Sequence, residues 1–285
     1  MLKKDLWEVL MIPERCDTPW TYYMEPFRIC EGVYFVGSYT GSAHLIDTGD
    51  GLILLDSSYP QYLYQIIANI QKLGFDFRNI KYILHSHGHY DHVGGTRALV
   101  ELTGAKTLIG EPDRDYANGK LPLTWAKELD REYYEMFEPD ILLHDGDVLS
   151  LGRISIRCVA APGHTPGTMS FFFDIVEKDG KTYTVGTHGG AGVNSVKKDF
   201  LDRYGLPYSL REDYVKSLER MRNEKVDIFI GNHVWNNDTD IKGKQILEHP
   251  ELPNPFIDPT AWGKFIDRCM KNIMAVINDP AEQEG

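Results

Sequence analysis

The sequence predicts an α/β protein with two β-sheets and helices on their outer faces. Short strand-like segments open the chain, a helix separates them from a second group of strands, and further helices close it. Of the 285 residues, 42% are hydrophobic, which is enough for one large core. Because no linker-like or low-complexity segment interrupts the chain, we expect one domain over residues 1–285, with an N-terminal extension (1–25) and a C-terminal helix (259–278).

The first half of the chain alternates strands with helices. Turn residues separate apolar runs at residues 32–38, 43–51 and 52–58, and Asp50-Gly51 stands where a hairpin turn is expected. A helix then begins near Pro60 and ends at Gly74, because apolar residues recur at helical spacing between them. The next predicted elements are a buried strand at 80–86, a helix at 94–104, a strand at 106–110 and a mostly helical segment from Glu111 to Phe137.

The second half of the chain repeats this order. Its predicted strands lie within residues 148–164, 167–176 and 181–187, and a helix follows around residues 210–223. A strand at 226–233 ends in a histidine, and the amphipathic stretch AWGKFIDRCMKNIMAVI supplies the C-terminal helix. Two groups of strands, each followed by helices, favour two sheets with helices outside.

The composition excludes several classes of protein. Lysine and arginine number 30 against 42 acidic residues, a net charge of −12, so the positive field that binds a phosphate backbone is missing and we expect no nucleic-acid partner. No apolar run approaches the roughly 20 residues of a membrane span. Asp5 and Glu8 interrupt the first apolar segment, so we expect no export signal, no membrane association and a cytoplasmic protein. The oligomeric state is left open.

The sequence HSHGHYDHVGG, which begins at His85, concentrates four histidines and one aspartate within eight positions, although the chain has only ten histidines. Alternate residues of an extended segment point the same way, so His85, His87 and His89 can project to one side. Asp91 and His92 belong to the turn beyond. Imidazole and carboxylate groups suit zinc, and a catalytic zinc takes about three protein ligands plus an open position. The loop offers more than one such set, which predicts two metal ions.

Further ligands must come from other parts of the chain. His164 in APGHTPGT and His233 in GNHVW each follow an apolar strand and stand beside glycine, where the backbone can turn and a metal ion can approach closely. An isolated histidine is more often a packed or surface side chain than a ligand. Here the cluster requires partners, so we predict that both histidines belong to the metal site.

These residues resemble the metallo-β-lactamase superfamily. HGHYDH matches its HxHxDH pattern, and the resemblance extends from about Pro26 to His233 through PFRICEGVYFVGS, GLILLDSS, APGHTPGTMSF and GNH. It is strongest toward the third subclass of metallo-β-lactamases and their non-lactamase relatives. The resemblance implies a four-layer αββα sandwich of the α/β class and one hydrolase domain of this family over residues 1–285.

The resemblance also implies roles for individual residues. One metal ion would be held by His87, His89 and His164, and the other by Asp91, His92 and His233. His85 falls just before the motif, so we interpret it as a residue that supports the ligands or the local structure. Asp56, at the end of LILLD, occupies the place of a family aspartate that supports the ligands; the alternative is a turn or cap carboxylate.

One position departs from the family pattern. Many two-metal members carry a bridging aspartate in a Gly-Asp pair where this chain has Gly186-Thr187-His188. This difference argues against the glyoxalase-like and RNA-processing branches, agrees with the lactamase-like branch and leaves the second metal ion with weaker anchorage. His188 is either a further ligand, a substrate contact or, in the interpretation we favour, an ordinary polar loop residue.

The function implied by the resemblance is that of a dinuclear zinc hydrolase with two Zn²⁺ per chain, iron and manganese being alternative metals. A metal-bound water has a pKa of about 7, so a metal-bound hydroxide can open a cyclic amide or ester, while Asp91 holds the attacking water in line. The expected partner is a small-molecule substrate resembling a β-lactam or a lactone. By resemblance, Trp20 and Tyr23 belong to the segment that lines the substrate pocket.

Two other functions compete with hydrolysis. Mononuclear iron-dependent oxidation of a thiol compound occurs in superfamily relatives, which usually leave the second metal site unfilled, whereas this chain has all six ligands. A metal-stabilised binding protein without catalysis would lack a ligand or have a blocked pocket, and no ligand is missing. Hydrolysis is therefore the leading prediction.

Overall fold

Two β-sheets are present in residues 14–131 and 135–283, which the computed structural model describes. The first sheet contains, in this order, β1 (Phe27–Cys30), β2 (Val33–Phe35), β3 (His44–Asp47), β4 (Leu52–Leu55), β5 (Ile80–Leu84), β6 (Lys106–Gly110) and β7 (Ile141–Leu143). The second sheet contains β8 (Val148–Leu151), β9 (Ile154–Ala160), β10 (Met169–Val176), β11 (Thr182–Thr187) and β12 (Ile228–Phe229), in the order β12-β11-β10-β9-β8. Of the predicted extension at 1–25, residues 1–13 lie outside the described residues.

The first sheet changes from antiparallel to parallel pairing along its length. Strands β1 to β4 pair antiparallel, and β4 to β7 pair parallel. The predicted hairpin joins β3 to β4, with Asp47 opposite Leu52. Gly49 and Gly51 have φ angles of 89° and 142°, which residues with a Cβ rarely adopt, so glycine is needed in this turn.

The helices lie between the strands and after them. They are α1 (Glu14–Asp17), α2 (Leu63–Lys72), α3 (Tyr90–Val93), α4 (Thr96–Thr103), α5 (Arg114–Ala117), α6 (Lys198–Tyr204), α7 (Leu210–Met221), α8 (Thr239–Glu248) and α9 (Ala261–Asn278). Parallel strands need crossover connections, and α2 supplies one between β4 and β5, while α3 and α4 lie between β5 and β6. None of the helices in the described residues has the length and apolarity to cross a membrane.

The alternating faces of β4 explain why all four of its residues are buried. Ile53 and Leu55 point into the core between the two sheets, where they join Phe171 and Val185 of the second sheet. Leu52 and Leu54 point to the other face and pack in the cluster that contains helix residues such as Ile66 of α2. Each such side chain contributes about 1.5–3 kcal/mol by leaving water.

The second sheet is covered in the same way on its outer face. Phe172 and Phe229 pack against Leu218 of α7 and Phe265 of α9. The layers are therefore helix, sheet, sheet and helix, which confirms the predicted four-layer αββα sandwich. The C-terminal helix expected at 259–278 lies at Ala261–Asn278 and packs with the core of this chain.

The prediction of a mostly helical segment from Glu111 to Phe137 is wrong. Its described part contains a 3₁₀ turn at Glu111–Asp113 and the short α5, followed by turns. Gly119 and Trp125 have φ angles of 78° and 65°, and Pro122 lacks an N–H, so an α-helix cannot run through them. The strand predicted at 226–233 is also shorter than expected, because only Ile228–Phe229 pairs within the sheet. The structure adds β1 and β7, which we had not predicted as strands.

Strand direction brings the ends of six strands to the site. Because β4, β5 and β6 are parallel, their carboxyl ends share one edge, and these ends lead into Asp56, the histidine loop and Glu111–Asp113. In the second sheet, β9 and β11 both pair antiparallel with β10, and β12 is parallel to β11. The carboxyl ends of β9, β11 and β12 therefore also lie together, and they lead into His164, His188 and His233.

Candidate metal centre

The histidine-rich loop turns directly after β5. His89 is still extended, with φ −76° and ψ 152°, and the short α3 begins at the next residue. Gly88 allows the loop to lie against α5, because a Cβ at this position would be only 2.8 Å from the Cβ of Tyr116. This close packing fixes the path of the backbone between His87 and His89.

Three buried histidines form a group that we call the first triad: His87, His89 and His164. Each offers a ring nitrogen, and these nitrogens all lie within 4.8 Å of one another. The ring centroids are 4.6 to 4.7 Å apart. The family resemblance implied that these three histidines bind one metal ion. The structure brings them together, although they come from both sheets.

Asp91, His92 and His233 form a neighbouring group, the second triad. The Oδ2 atom of Asp91 lies 3.5 Å from Nε2 of His92 and 3.6 Å from Nε2 of His233. Potential ligand atoms of Asp91 and His92 are also within 4.8 Å of one from His87. The two triads are therefore adjacent, as two metal ions sharing one substrate would require.

Hydrogen bonds fix which ring nitrogen of His87 and of His164 faces the centre. His87 Nδ1 is 2.7 Å from the carbonyl oxygen of Gly189, and His164 Nδ1 is 2.7 Å from that of Gly192. A carbonyl oxygen only accepts, so Nδ1 carries the proton in both rings. In the neutral rings, Nε2 therefore has the lone pair, as in histidines that bind metals.

The residues present fit a bound metal ion. The Nε2 atoms of His87 and His92 are buried and have no hydrogen-bond partner among the described residues. Buried polar atoms are nearly always hydrogen-bonded, so two such atoms facing one centre need an explanation. A cation bound by these lone pairs provides it, and the donor set of imidazoles with one carboxylate is that of zinc and related metals.

Burial and neighbouring charges shift the protonation of the cluster. Burial, together with the neighbouring histidines, lowers the pKa of His87 and His89 well below the usual value, so both rings are neutral. Burial also acts to lower the pKa of His92, but the carboxylates of Asp91 and Asp56 outweigh it and raise this pKa. Without a metal ion, the two carboxylates therefore favour a protonated His92, and a bound metal ion would take the place of that proton on Nε2.

Asp56 holds the histidine loop from the end of β4. Its Oδ1 accepts the Ser86 N–H at 2.8 Å, and its Oδ2 accepts from Ser86 Oγ at 2.7 Å and from His92 Nδ1 at 2.8 Å. Asp56 is buried and has a φ of 59°, an uncommon conformation for a residue with a Cβ. These contacts orient His92 with its Nε2 toward Asp91.

His85 and His188 lie outside both triads. Both ring nitrogens of His85 are engaged, Nδ1 with the Leu108 carbonyl at 2.9 Å and Nε2 with Thr96 Oγ1 at 2.7 Å. The ring of His188 is buried beside Trp262 and Phe265 of α9, and burial lowers its pKa to about 3. Its Nδ1 accepts the Gly190 N–H, so His188 packs under the loop and is not grouped with the candidate ligands.

A cavity of about 480 Å³ opens over the two triads. His89, Asp91, His164 and His233 contribute to its lining, together with two tryptophans. Trp235 stacks on His233, with ring centroids 4.4 Å apart and planes at 8°. Trp125 lies edge-on to His89 at 6.4 Å and stacks on Phe200 at 5.3 Å. The volume is in the range of small-molecule sites.

Trp20 and Tyr23 do not line this cavity, contrary to the prediction from the resemblance. Trp20 is 64% exposed on the surface, and the Tyr23 hydroxyl donates to Glu25 at 2.9 Å. Trp125 and Trp235, which from the sequence were weaker candidates for pocket residues than Trp20 and Tyr23, occupy the walls instead. Their positions depend on the irregular segment after α5 and on the turn after β12, which sequence periodicity does not describe.

We had not predicted from the sequence that Asp113 and Asn232 support the site. Asp113 is fully buried and contacts both ligand loops, and Asn232 Nδ2 donates at 2.8 Å to the same Gly189 carbonyl that orients His87. Burial raises the pKa of Asp113 to about 6, against the effect of its hydrogen bonds. A usable signal existed for Asp113, since it follows the buried strand β6 at the edge where the histidine loop also begins.

Comparisons with known proteins identify the family and the fold. The family model of the metallo-beta-lactamase superfamily matches residues 36–233, so the chain belongs to this superfamily. Native FEZ-1, a metallo-beta-lactamase from Legionella gormanii, superposes with a TM-score of 0.82 at 29% identity over 92% of this chain and 98% of FEZ-1. BJP-1, a subclass B3 metallo-beta-lactamase of Bradyrhizobium japonicum, gives 0.80 at 27% identity over 90% and 95%. The predicted resemblance and fold are confirmed.

Curated relatives carry other hydrolase names. A hydroxyacylglutathione hydrolase from Anaeromyxobacter dehalogenans is 28% identical over 141 residues, which are 50% of this chain and 44% of the relative. A probable metallo-hydrolase from Burkholderia pseudomallei is 30% identical over 152 residues, 50% of each chain. The chain thus spans about half the length of these relatives. Their names support the prediction of a metal-dependent hydrolase.

Proposed function

We propose that the protein is a dinuclear zinc hydrolase that opens a cyclic amide or ester. The observation that carries this proposal is the pair of adjacent triads beneath one cavity. The first triad supplies three imidazoles, and the second supplies two imidazoles and a carboxylate. This donor set suits zinc, and similarity to subclass B3 metallo-beta-lactamases over most of the chain supports the choice of reaction.

The two triads and the residues of the cavity wall have different roles in metal binding and catalysis. The first triad would hold one ion and the second triad the other. When bound, the two ions would supply an activated water at neutral pH and polarise the substrate carbonyl. Asp91 lies between His92 and His233 and lines the cavity, so its carboxylate is placed to orient the attacking water. Trp125 and Trp235 would exclude bulk water from the substrate.

The complete second triad makes single-iron thiol oxidation the weaker candidate. That reaction needs only one metal ion, so it gives no reason for Asp91, His92 and His233 to lie together beside the first triad. Hydrolysis by two metal ions uses both groups, one at the attacking oxygen and the other at the carbonyl or leaving group.

A hydrolysis assay before and after metal depletion tests the proposal. We expect the purified protein to hydrolyse a chromogenic cephalosporin, a simple lactone, or both. Activity should disappear on dialysis against a chelator and return with two equivalents of zinc per chain. Activity that survives complete chelation would contradict the proposal, and so would full recovery with a single equivalent of iron.

Arg268 favours a β-lactam that carries a negative charge over a neutral lactone as the substrate. It is the only lysine or arginine among the described residues that line the cavity. One of its terminal nitrogens donates to the Asn236 carbonyl at 2.8 Å, and the guanidinium lies 5.5 Å from the centre of the Phe265 ring. These contacts hold a positive charge at the cavity wall, which a substrate carboxylate can pair with. Most β-lactams carry a carboxylate, whereas a simple lactone is neutral.

Replacement of Arg268 by alanine is therefore expected to affect substrates according to their charge. KM for a carboxylate-bearing β-lactam should rise by about 10- to 100-fold, the effect of losing a hydrogen bond to a charged group. The kinetic constants for a neutral lactone should stay within about twofold. Steady-state kinetics with both substrates check this, with Lys271→Ala on the same helix as the control. Equal effects on both substrates would show that Arg268 does not recognise the anion.

A further inference from the structure

Asp113 lies at the end of β6, where the 3₁₀ turn Glu111–Asp113 begins the irregular segment. The side chain is fully buried, and it is not a member of either triad. Its carboxylate accepts three hydrogen bonds. They come from the N–H of Gly88 at 2.8 Å, the hydroxyl of Thr165 at 2.6 Å and the N–H of Gly167 at 2.7 Å.

The three donors belong to two loops that carry metal-ligand candidates. Gly88 lies between His87 and His89 in the loop after β5. Thr165 follows His164 directly in the loop after β9 of the other sheet. A single atom, Oδ2 of Asp113, accepts from both Gly88 and Thr165. This oxygen therefore connects the two loops that together form the first triad.

The residues of the loop after β9 allow close contact with the Asp113 carboxylate. A Cβ on Gly167 would lie 2.6 Å from Cγ of Asp113, so only glycine lets the loop approach the carboxylate. The Thr165 hydroxyl is also within 2.8 Å of the Thr168 hydroxyl, which accepts the Thr165 N–H at 3.0 Å. The loop after β9 is thus folded on itself and attached to Asp113 at two points.

The second triad has different supports. Asp56 accepts from His92 Nδ1, and Ser57 donates its N–H to the His92 carbonyl at 2.8 Å. His233 enters from β12, which Asp113 does not contact through any of its three hydrogen bonds. Loss of the Asp113 carboxylate should therefore leave the second triad in place.

We propose that Asp113 is a positioning residue that holds His164 at binding distance from His87 and His89, so that it tunes the affinity of the first triad and not that of the second. The inference rests on the proposed two-metal function. It assigns to one buried carboxylate a connection between the two sheets at the metal centre, beside the contact of His87 with the Gly189 carbonyl.

Cadmium NMR of the metal-depleted full chain tests this proposal, because ¹¹³Cd gives separate signals for sites with different ligands. His164→Ala and His233→Ala assign the signals of the first and second triads. In Asp113→Asn, an amide group replaces the carboxylate that accepts hydrogen bonds from Gly88, Thr165 and Gly167. We expect the cadmium affinity of the first triad to fall by about 10- to 100-fold, as for other residues that orient metal ligands, with the second within about threefold.

Two further variants separate positioning from general stability. Thr165→Val removes one donor without changing charge or shape, and it should weaken the first triad selectively by a smaller factor. Asp140 is the control, because its carboxylate accepts hydrogen bonds from the N–H and hydroxyl of Thr107, which lies on β6, the strand that Asp113 follows. Asp140→Asn should change neither cadmium signal. Thermal unfolding of each metal-free variant is measured in parallel.

Equal weakening of both triads in Asp113→Asn and Thr165→Val, or an unchanged first triad, would overturn the positioning role. Such results would leave the proposed function intact, because the unsubstituted protein would still show two cadmium signals. If the unsubstituted protein gives one signal or none, the two-metal function itself fails, and the role of Asp113 at its first site fails with it.

Discussion

Replacement of His164 by alanine is expected to lower kcat/KM for hydrolysis by at least about a thousandfold, since a metal ion contributes several kcal/mol to catalysis and each 1.4 kcal/mol is about tenfold in rate. His164 is the one member of the first triad that comes from the second sheet. Without it, His87 and His89 would be left as two ligands for an ion that needs about three. Metal content should fall together with activity.

The control for this variant is a histidine outside the site. His144 lies on the surface and pairs with Glu111, so His144→Ala should retain full activity and metal content. Steady-state kinetics and elemental analysis of both variants are compared with the unsubstituted protein. If His164→Ala retains more than a tenth of the activity, the first triad is not the catalytic metal site.

Replacement of Asp56 by alanine should impair both folding and metal binding. The Ser86 N–H and His92 Nδ1–H would lose their buried acceptor. Removal of one partner from a buried charge pair costs about 3–5 kcal/mol of unfolding free energy. The loss of orientation of His92 should further lower metal affinity or activity by about 10- to 100-fold. Denaturant unfolding of the metal-free protein and zinc titration measure the two effects separately.

Asp47→Ala provides the matched comparison for Asp56. Asp47 ends the neighbouring strand β3, and its carboxylate pairs with Arg153 near the surface. Such partly exposed pairs contribute about 0–1 kcal/mol. We therefore expect Asp47→Ala to have nearly normal stability and zinc affinity. If Asp56→Ala matches it in both measurements, Asp56 is only a turn residue.

The elements that sequence periodicity predicted well are those with strong apolar patterns. The strand at 80–86, the helix that begins near Pro60 and the C-terminal helix all appear close to their expected positions. Each has one face or both faces in a core, so the hydrophobic pattern determines its structure. The irregular segment after α5 was misread as helix, because its glycine and proline residues and the left-handed Trp125 override its composition.

The loop ligands could be selected from the sequence because histidines and an aspartate are concentrated there, and His164 and His233 because each follows an apolar strand and lies beside glycine. The positions of supporting residues were harder to predict. Asp113 acts through Gly88 and Thr165, which are 25 and 52 residues from it in the sequence. Only the parallel direction of β5 and β6 shows that Asp113 adjoins the histidine loop. The positions of Trp125 and Trp235 in the cavity wall depend on turns, whose geometry is set by tertiary contacts.

Elemental analysis of protein purified without added metal tests the central claim most directly, when it is combined with a hydrolysis assay on the same sample. We predict about two zinc ions per chain and turnover of a β-lactam or a lactone. One iron per chain without hydrolysis would contradict the account and would direct attention to oxidation of a thiol compound.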